Sequence, residues 1–387
     1  MIKVGFHLWE YDFWPTWNTY LRSLFEALRT TYPADLRLCC MPSNGRGDLS
    51  PELRGLVDET LVFPSYRRWT LNWAMDRAAR RFFHRDHFQD LSLREHGVNV
   101  IVFGDAPRGS EIPTLGWLPD FQHVHLPEMF SAEERRERDR QWVRMAARKT
   151  RILLLSESVR RDFQAFAPQY AEKGRVVSPV SYVPHSIYGT DPRYICDVYS
   201  LPEKFIYLPN QFWKHKNHRA AFGALKLLKE QEFEVFLVCT GYPGDYRDTS
   251  HFSSLLQDLS RWKIRNQVAI LGLVPREHVF ALIRQSVCVL NPSLFEGYGM
   301  TLDEARSVGK QMLVSDIPAH REQDPPGGVY FDPKDHEGLA GKLRQIWRES
   351  QPGPAAKMED EARRSLPERT RKCAEAFMTV VREVLSE

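Results

Sequence analysis

The sequence lacks several features that would mark particular classes of protein. It has no run of about 18 consecutive apolar residues, so no membrane-spanning helix is predicted. None of the six cysteines forms a C-x-x-C pair or stands beside a histidine cluster with ligand spacing, so we predict no metal site and expect a reducing compartment. The 53 basic and 50 acidic side chains nearly cancel, so bulk charge gives no indication of a nucleic-acid partner.

Two further absences concern the N-terminus. The apolar run Met1–Phe6 is too short for a signal peptide and is typical of a first strand. No G-x-G-x-x-G follows it, which disfavours a dinucleotide oxidoreductase. We therefore predict a cytoplasmic protein, and peripheral contact with the inner face of a membrane stays open.

What the sequence does contain is a regular alternation of apolar strand-like runs and longer helical patterns. This order is typical of parallel sheets with crossover helices, and the second half repeats the plan of the first. A chain of 387 residues is too long for one ordinary core. We predict an α/β protein of two doubly wound, Rossmann-like domains, at 1–184 and 185–365, with a helix at 366–387 that packs back on the first domain.

The most informative segment is Asn291–Ala305, which reads as a strand end, a glycine-containing loop and a helix start. Ligands bind at the carboxyl ends of strands in open α/β sheets. Gly297 and Gly299 permit close backbone approach, and the new helix offers free N–H groups to a diphosphate. Glu296 and Glu304 flank the loop, and carboxylates accept hydrogen bonds from sugar hydroxyls. An alternative stays open, because Thr301-Leu302-Asp303-Glu304 also matches a helix capping box.

This segment resembles the E-x7-E signature of retaining glycosyltransferase family 4, whose members have the GT-B fold. The resemblance continues over about Phe205–Asp332, including Leu271–Pro275, Gly241, Gly309 and Lys216-Asn217. It implies that the two domains face an interdomain cleft. It also implies that Glu304 binds the ribose hydroxyls and Glu296 the donor sugar.

The resemblance implies a larger set of donor contacts, with UDP- or GDP-sugars as the expected donors and no other cofactor. Besides Glu304, the donor-binding residues are Gln211, Lys214, Gly272, Leu273, Gly297, Tyr298, Gly299, Met300 and Thr301. The expected catalytic residues are Glu296, Lys216, Asp120 and His123.

The phosphate-binding turn departs from the family pattern. Lys216 matches, but Asn210 and Gln211 stand where the family has Gly-Arg. A departing diphosphate needs positive charge or hydrogen-bond donors, so Lys214 or Gln211 would have to compensate. A solvated basic turn is the alternative. No Asp-x-Asp follows a strand, which favours a metal-independent reaction.

The acceptor side is expected in the first half. Glu10–Asn18 follows the first strand and carries aromatics that either bind a sugar or lipid or belong to the core; Thr16, Trp17 and Asn18 are its candidates. The loop Trp117–Phe130 resembles the family's His-Asp segment. Asp120 matches the Asp, Pro119 replaces the His, and His123 or His125 serves instead.

One more segment bears on partners. Six arginines between Arg67 and Arg85 alternate with aromatics, which is typical either of contact with an anionic lipid or membrane face or of a plain solvated helix.

Together these features predict a retaining glycosyltransferase. It would transfer a hexose-type sugar from a nucleotide diphosphate sugar to a glycan, lipid-linked or other hydroxyl acceptor in cell-surface polysaccharide or glycoconjugate synthesis. A GT-B epimerase or phosphorylase and a non-catalytic nucleotide-sugar binder stay open as alternatives, and the oligomeric state is not predicted.

Overall fold

A computed structural model describes residues 1–8, 15–43, 48–63, 74–75, 77–78, 81–82 and 86–387, apart from the side chains of residues 15, 16 and 87. This chain divides into two units. The first contains Met1–Asp120, Arg136–Tyr182 and Glu368–Glu387, and the second contains Phe121–Arg135 and Val183–Pro367. The short segment Phe121–Arg135 thus groups with the second unit, an exchange that the sequence pattern did not indicate.

The first unit is built on a parallel sheet. Its seven described strands have the order β3-β2-β1-β4-β5-β6-β7. They are β1 (Ile2–Leu8), β2 (Leu36–Pro42), β3 (Glu59–Thr60), β4 (Val100–Val102), β5 (Thr114–Leu118), β6 (Arg151–Leu154) and β7 (Gly174–Val176). Its helices are α1 (Pro15–Thr31), α2 (Pro51–Arg54), α3 (His87–Glu95), α5 (Ala132–Arg148), which begins in the second unit, and α6 (Glu157–Phe166), with a 3-10 turn at Pro168–Lys173. Both faces of such a sheet are covered, which is why the strands read as continuous apolar runs.

The C-terminal helix contributes to the first unit's core. The ring of Phe377 stacks on that of Phe6 at 5.8 Å between centroids, and Phe25 meets Phe6 edge-on at 4.7 Å. Glu383 accepts hydrogen bonds from Arg151 at 3.0 Å and from Arg175 at 2.9 Å. Apolar packing and paired charges therefore both fix the end of this helix against strands β6 and β7.

The second unit repeats the plan with six described parallel strands in the order β10-β9-β8-β11-β12-β13. They are β8 (Ile206–Leu208), β9 (Leu237–Cys239), β10 (Val268–Ile270), β11 (Val289–Asn291), β12 (Met312–Ser315) and β13 (Val329–Phe331). The helices are α4 (Gln122–His125), α7 (Ser186–Gly189), α8 (Tyr194–Tyr199), α9 (His218–Glu230), α10 (His251–Arg261), α11 (Arg276–Gln285), α12 (Met300–Ser307), α13 (Pro318–Gln323), α14 (His336–Glu349) and the first part of α15 (Ala356–Ser386). Single 3-10 turns lie at Pro127–Met129, Lys214–Lys216 and Arg265–Gln267.

Helix α15 is longer than its amphipathic pattern predicts. The pattern is clearest at Arg369–Leu385, but the helix begins at Ala356 and continues through Pro367. Among the described residues, no helix combines the length and the hydropathy needed to cross a bilayer.

All six cysteines are buried and unpaired as disulfides. Burial raises the pKa of the Cys39 and Cys288 thiols to about 12. Cys39 and Cys288 therefore behave as small apolar core residues, which agrees with their positions in apolar, strand-like runs of the sequence.

Candidate functional site

The candidate donor site lies where the strand order of the second sheet reverses. Strands β8 and β11 are neighbours there although three helices and two strands separate them in sequence. Their carboxyl ends, Leu208 and Asn291, lead into the two loops that carry most of the predicted donor residues. This topological switch point is where open α/β sheets bind ligands.

A buried chain of side chains joins these two loops. Asn210 donates from Nδ2 to Oδ1 of Asn291 at 3.1 Å, and Thr301 donates its hydroxyl to Oδ1 of Asn210 at 3.1 Å. The Ser293 hydroxyl lies 2.7 Å from Oδ1 of Asn291 and 2.7 Å from Oε1 of Glu296. Asn210, which stands where the resembling family has glycine, thus links the end of β8 to the end of β11 and the start of α12.

Lys216 and Glu296 meet in the centre of the site. The ammonium of Lys216 lies 2.7 Å from Oε1 and 2.8 Å from Oε2 of Glu296, and only 9% of the glutamate side chain is exposed. Burial by itself raises the pKa of Glu296, but Lys216, His320 and Ser293 together outweigh this effect and hold the pKa below its ordinary value. The carboxylate is therefore ionised and oriented before any ligand arrives.

The backbone around this pair is fixed by short contacts. Asn217 adopts a left-handed conformation, φ 57°, and its amide donates to the carbonyls of Pro292 and Pro333 at 3.1 and 3.0 Å. The amide of Leu294 donates to the carbonyl of His215 at 2.8 Å. The turn that carries Lys216 is thus tied directly to the loop that carries Glu296.

Helix α12 begins at Met300, and Gly299 precedes it with φ 92°, a conformation that favours glycine. The amide of Gln323 donates to the carbonyls of Tyr298 and Gly299. His320 lies behind the same loop, and its Nε2 would stand 3.6 Å from a Cβ placed on Gly299. Sequence reasoning missed Gln323 and His320, which lie on α13; their only signal was the Pro318 helix start after β12.

Glu304 does not cap its helix. The helix begins earlier than a Thr301 cap requires, and the Thr301 hydroxyl points to Asn210 instead. Oε1 of Glu304 lies 2.5 Å from Nη1 of Arg276, a residue that sequence reasoning did not select. Burial raises the pKa of Glu304, and Arg276 opposes the rise only in part.

Two neighbouring strand ends supply glycines with positive φ. Gly241 follows β9 with φ 135°, and a Cβ there would lie 2.5 Å from the carbonyl oxygen of Asn210. Gly272 follows β10 with φ 69° and has open space around it. Leu273 beside it is 58% exposed.

The two candidates for the missing arginine differ in position. Lys214 is exposed, and its backbone amide is held by Asp245 at 2.9 Å. Gln211 is half-buried beside Gly241. Arg247 lies nearby, but Asp245 binds it at 2.8 and 2.9 Å through two nitrogens, so this arginine is committed to the protein itself.

His123 and His125 of the loop Trp117–Phe130, both in the second unit, have different environments. His123 is 2% exposed and packs against the rings of Phe121 and Phe130. His125 is exposed, and its ring stacks on Phe295 at 4.9 Å between centroids. His125, rather than His123, therefore contacts the residue that directly precedes Glu296 in the sequence.

The remaining acceptor candidates lie in the first unit. Asp120 is half-buried two residues after β5. Trp17 is 3% exposed, and its ring centroid lies 4.9 Å from that of Trp117 and 5.1 Å from that of Phe103. Of the two alternatives for these aromatics, the Trp17 ring therefore belongs to the core. Asn18 is exposed.

Other candidates of the first half fall outside the description. The side chain of Thr16 lies outside the described residues, as does most of the Arg67–Arg85 stretch. Across the described ranges, no three His, Cys, Asp or Glu side chains are grouped to hold a metal ion.

Comparison with known families bears directly on this geometry. Residues 200–365 match the family described as Glycosyl transferases group 1. The matched segment lies within the second unit and contains the Lys216–Glu296 pair, Arg276 and Glu304. A glycosyltransferase sequence pattern thus coincides with the switch-point site.

Two curated proteins are similar in sequence. The O-antigen chain mannosyltransferase RfbU of Salmonella typhimurium is 24% identical over 204 residues, 50% of this chain and 53% of that protein. The O-antigen chain mannosyltransferase B of Escherichia coli is 29% identical over 140 residues, 35% of each chain. The chain therefore spans about half, or less, of the curated relatives that it matches.

Solved structures resemble the chain over nearly its whole length. A glycosyltransferase from Rickettsia africae matches with a TM-score of 0.68 at 13% identity, covering 99% of this chain and 98% of that one. HepE of Anabaena, solved with UDP and glucose, matches with a TM-score of 0.69 at 14% identity, covering 99% and 100%. WaaG, a lipopolysaccharide glycosyltransferase, matches with 0.59 at 16% identity, covering 96% and 95%. The chain has the GT-B fold, which confirms the predicted fold class.

Proposed function

We propose that the protein is a retaining, metal-independent glycosyltransferase of family 4. It transfers a hexose from a nucleotide diphosphate sugar to a hydroxyl of a glycan or lipid-linked acceptor, in the synthesis of a cell-surface polysaccharide or glycoconjugate. The observation that carries this proposal is the buried Lys216–Glu296 pair, set at the switch point beside the glycine loop that starts α12. The sequence match of residues 200–365 to glycosyl transferases group 1 supports it.

The donor would lie across the strand ends of the second sheet. Leu273 and Gly272 offer an apolar surface and close backbone approach to the base, and Glu304 accepts hydrogen bonds from the ribose hydroxyls. The first amides of α12 point toward the diphosphate because the N-terminal N–H groups of a helix lack partners within it. Each part of the donor thus meets a group of matching chemistry.

Lys216 has two tasks in this proposal. Before the donor binds, it neutralises Glu296; when the glycosidic bond breaks, it stabilises the negative charge that grows on the leaving diphosphate. The acceptor oxygen then attacks the anomeric carbon from the face that the diphosphate leaves, and the hydroxyl proton passes to the departing phosphate oxygen. Tyr298, Gly299 and Met300 would line this path, with Gln211 and Lys214 as further donors to the phosphates.

The acceptor side is less closely defined. His125 lies on Phe295, one residue before Glu296, and is our candidate for contact with the acceptor. Asp120 and Asn18 are further candidates in the first unit. The O-antigen mannosyltransferases among the relatives support a hexose donor and a polysaccharide product. We place the reaction in the cytoplasm, at the inner face of the membrane if the acceptor is lipid-linked.

Donor binding is tested first by thermal shift with UDP-, GDP-, ADP- and dTDP-sugars. A ligand at 100 times its Kd stabilises the folded state by about 2.7 kcal/mol, which gives a clear shift. Glu304→Gln should weaken nucleotide affinity about 10- to 100-fold, because hydrogen bonds to charged groups contribute about 1.5–3 kcal/mol. A protein that responds to none of these donors would refute the proposed site.

Turnover is tested next with the donor so identified and a panel of glycan and lipid-linked acceptors, with EDTA added in parallel. Lys216→Ala should lower kcat about 100- to 1,000-fold, the range for loss of a charge-stabilising donor. EDTA should leave the rate unchanged. Donor binding without transfer to any acceptor would favour a non-catalytic binder, and inversion of the donor sugar alone would favour an epimerase.

A further inference from the structure

Arg276 is the first residue of α11 and follows the loop of Gly272 and Leu273 by three positions. Its Nη1 lies 2.5 Å from Oε1 of Glu304, and its guanidinium lies over the ring of Phe280 at 4.6 Å. Its Nη2 is buried and has no hydrogen-bond partner among the described residues. Glu304 is thus the polar group to which the structure directs this guanidinium.

The surroundings of Glu304 otherwise oppose its charge. The residue is 6% exposed, and burial is the largest effect on its pKa, in the upward direction. Asp303 on the same helix raises that pKa further. From the strand beneath, Tyr207 is the titratable group that interacts with Glu304, and it is neutral at physiological pH since burial raises its pKa. Arg276 is the cation that opposes these effects.

The pair also fixes which oxygen of Glu304 is offered to a ligand. Arg276 engages Oε1, which leaves Oε2 for a donor group such as a ribose hydroxyl. The contact with the Phe280 ring is a second one that limits movement of the guanidinium, and with it movement of the carboxylate that the guanidinium holds. A neutral or freely rotating glutamate would accept hydrogen bonds from a vicinal diol less well.

We propose that Arg276 is a positioning residue that keeps Glu304 ionised and oriented for the ribose diol of the nucleotide. The inference rests on the proposed function, since it deepens the role of the same site. It makes two claims: nucleotide affinity depends on pH through Glu304, and selection of ribonucleotides over 2′-deoxyribonucleotides depends on Arg276.

The experiment is isothermal titration of the full chain with UDP, GDP and their 2′-deoxy counterparts, at intervals from pH 6 to pH 9. The variants are Arg276→Gln, Arg276→Lys and Glu304→Gln, with Arg261→Gln as the matched control. Arg261 is an arginine of the same unit whose side chain is 73% exposed. Because the terminal phosphate of the ligand titrates too, each profile is read relative to that of Glu304→Gln.

A nearby cation lowers a carboxyl pKa by about 1–3 units, so in Arg276→Gln the pH at which affinity falls should move up by about one unit or more. Below that pH the Kd should rise by up to about tenfold per pH unit and should recover at high pH. Arg276→Lys should restore most of the wild-type profile. Preference for the ribonucleotide should diminish in Arg276→Gln and in Glu304→Gln alike.

The outcomes distinguish failure of the proposed function from failure of the inference about Arg276. Wild-type protein that binds neither UDP nor GDP at any pH, and that also responds to none of the four nucleotide sugars in the thermal-shift screen, would overturn the proposed function. Wild-type binding with an Arg276→Gln profile parallel to wild type, or weaker by one constant factor at every pH, would overturn the inference alone. An equal effect of Arg261→Gln would overturn it too.

Discussion

Removal of Lys216 from its partner is the sharpest test of how the site is held together. Lys216→Met keeps the aliphatic stem and deletes the ammonium that lies 2.7 and 2.8 Å from the two oxygens of Glu296. Of the hydrogen bonds to this carboxylate that the described residues make, the one from the Ser293 hydroxyl, 2.7 Å from Oε1, would then remain. Loss of one partner of a buried pair costs about 3–5 kcal/mol, and of an exposed pair less than about 1 kcal/mol.

The side chains of Lys216 and Glu296 are 17% and 9% exposed, so the pair is close to the buried limit. We expect a loss of about 2–3 kcal/mol at pH 7.5, which lowers the Tm of a unit of this size by about 4–12 °C. The pKa of Glu296 is held below its ordinary value in the wild type. The stability that this shift contributes is therefore present above the unfolded pKa and is lost as pH falls through the folded pKa.

The gap between wild type and Lys216→Met should thus be largest near neutral pH and should shrink toward pH 4. Urea unfolding at pH 4.5, 6 and 7.5 measures it, and the transition that moves identifies the second unit. The double variant Lys216→Met/Glu296→Gln is the control, and it should recover most of the loss because no charge is left buried. A gap that does not change with pH, or a double variant no more stable than the single one, would refute the reasoning.

Three further predictions concern neighbouring residues. Asn210→Ala should cost about 1–3 kcal/mol in urea unfolding, because it leaves buried partners at Asn291 and Thr301 without their hydrogen bonds, and a neutral result would contradict the buried network. Gly299→Ala should lower the free energy of unfolding by about 1–2 kcal/mol, since its φ of 92° is unfavourable for other residues. The same variant should weaken nucleotide affinity in the isothermal titration, and unaltered affinity would show that this loop does not contact the donor. Burial lowers the pKa of His218 to about 3, so the folded state keeps it neutral, and stability present above about pH 6.5 is lost as pH falls toward that value. His218→Phe should therefore gain about 2 kcal/mol on wild type between pH 7 and pH 5, and parallel pH curves for the two proteins would count against this account.

Much of the fold can be predicted from the spacing of apolar residues and from the residues that end strands and helices. Apolar runs that end at or near glycine or asparagine give strands β9, β10 and β11 of the second unit. The apolar stripe of Phe222, Leu225 and Leu228 predicts a helix over His218–Glu230, which is the range of α9. Strand ends are less predictable. The apolar run Phe233–Thr240 predicts one long strand, but β9 spans only Leu237–Cys239, and the ring of Phe233 lies beneath the guanidinium groups of Arg344 and Arg348.

The site was predictable where it depends on strand ends. Lys216 and Glu296 follow the neighbouring strands β8 and β11, and Gly272 follows β10 of the same sheet, so topology alone brings the three to the carboxyl-end edge of that sheet. The partners of these residues were not predictable in the same way. Arg276 meets Glu304, and His320 lies behind Gly299, because of side-chain directions and loop conformations that no spacing in the sequence specifies.

The exchange of Phe121–Arg135 into the second unit could not be predicted either. Its anchor is Arg247, whose guanidinium donates to Gln122 at 3.2 Å and lies over the ring of Phe130 at 5.1 Å. Sequence places these residues more than a hundred positions apart. Only the folded chain shows that this segment carries His125 to Phe295.

The six buried thiols have a practical consequence for experiments on this protein. Alkylating reagents attack the thiolate. Burial keeps all six native cysteines out of reach of solvent, and it raises the pKa of the thiols of Cys39, Cys40, Cys196, Cys239 and Cys288. The native cysteines should therefore react little with maleimides, and a single cysteine introduced at the exposed position of Leu273 would be labelled selectively by a fluorophore. If nucleotide binds there as proposed, the fluorescence of a dye at that point should change on binding, and no native cysteine would have to be removed.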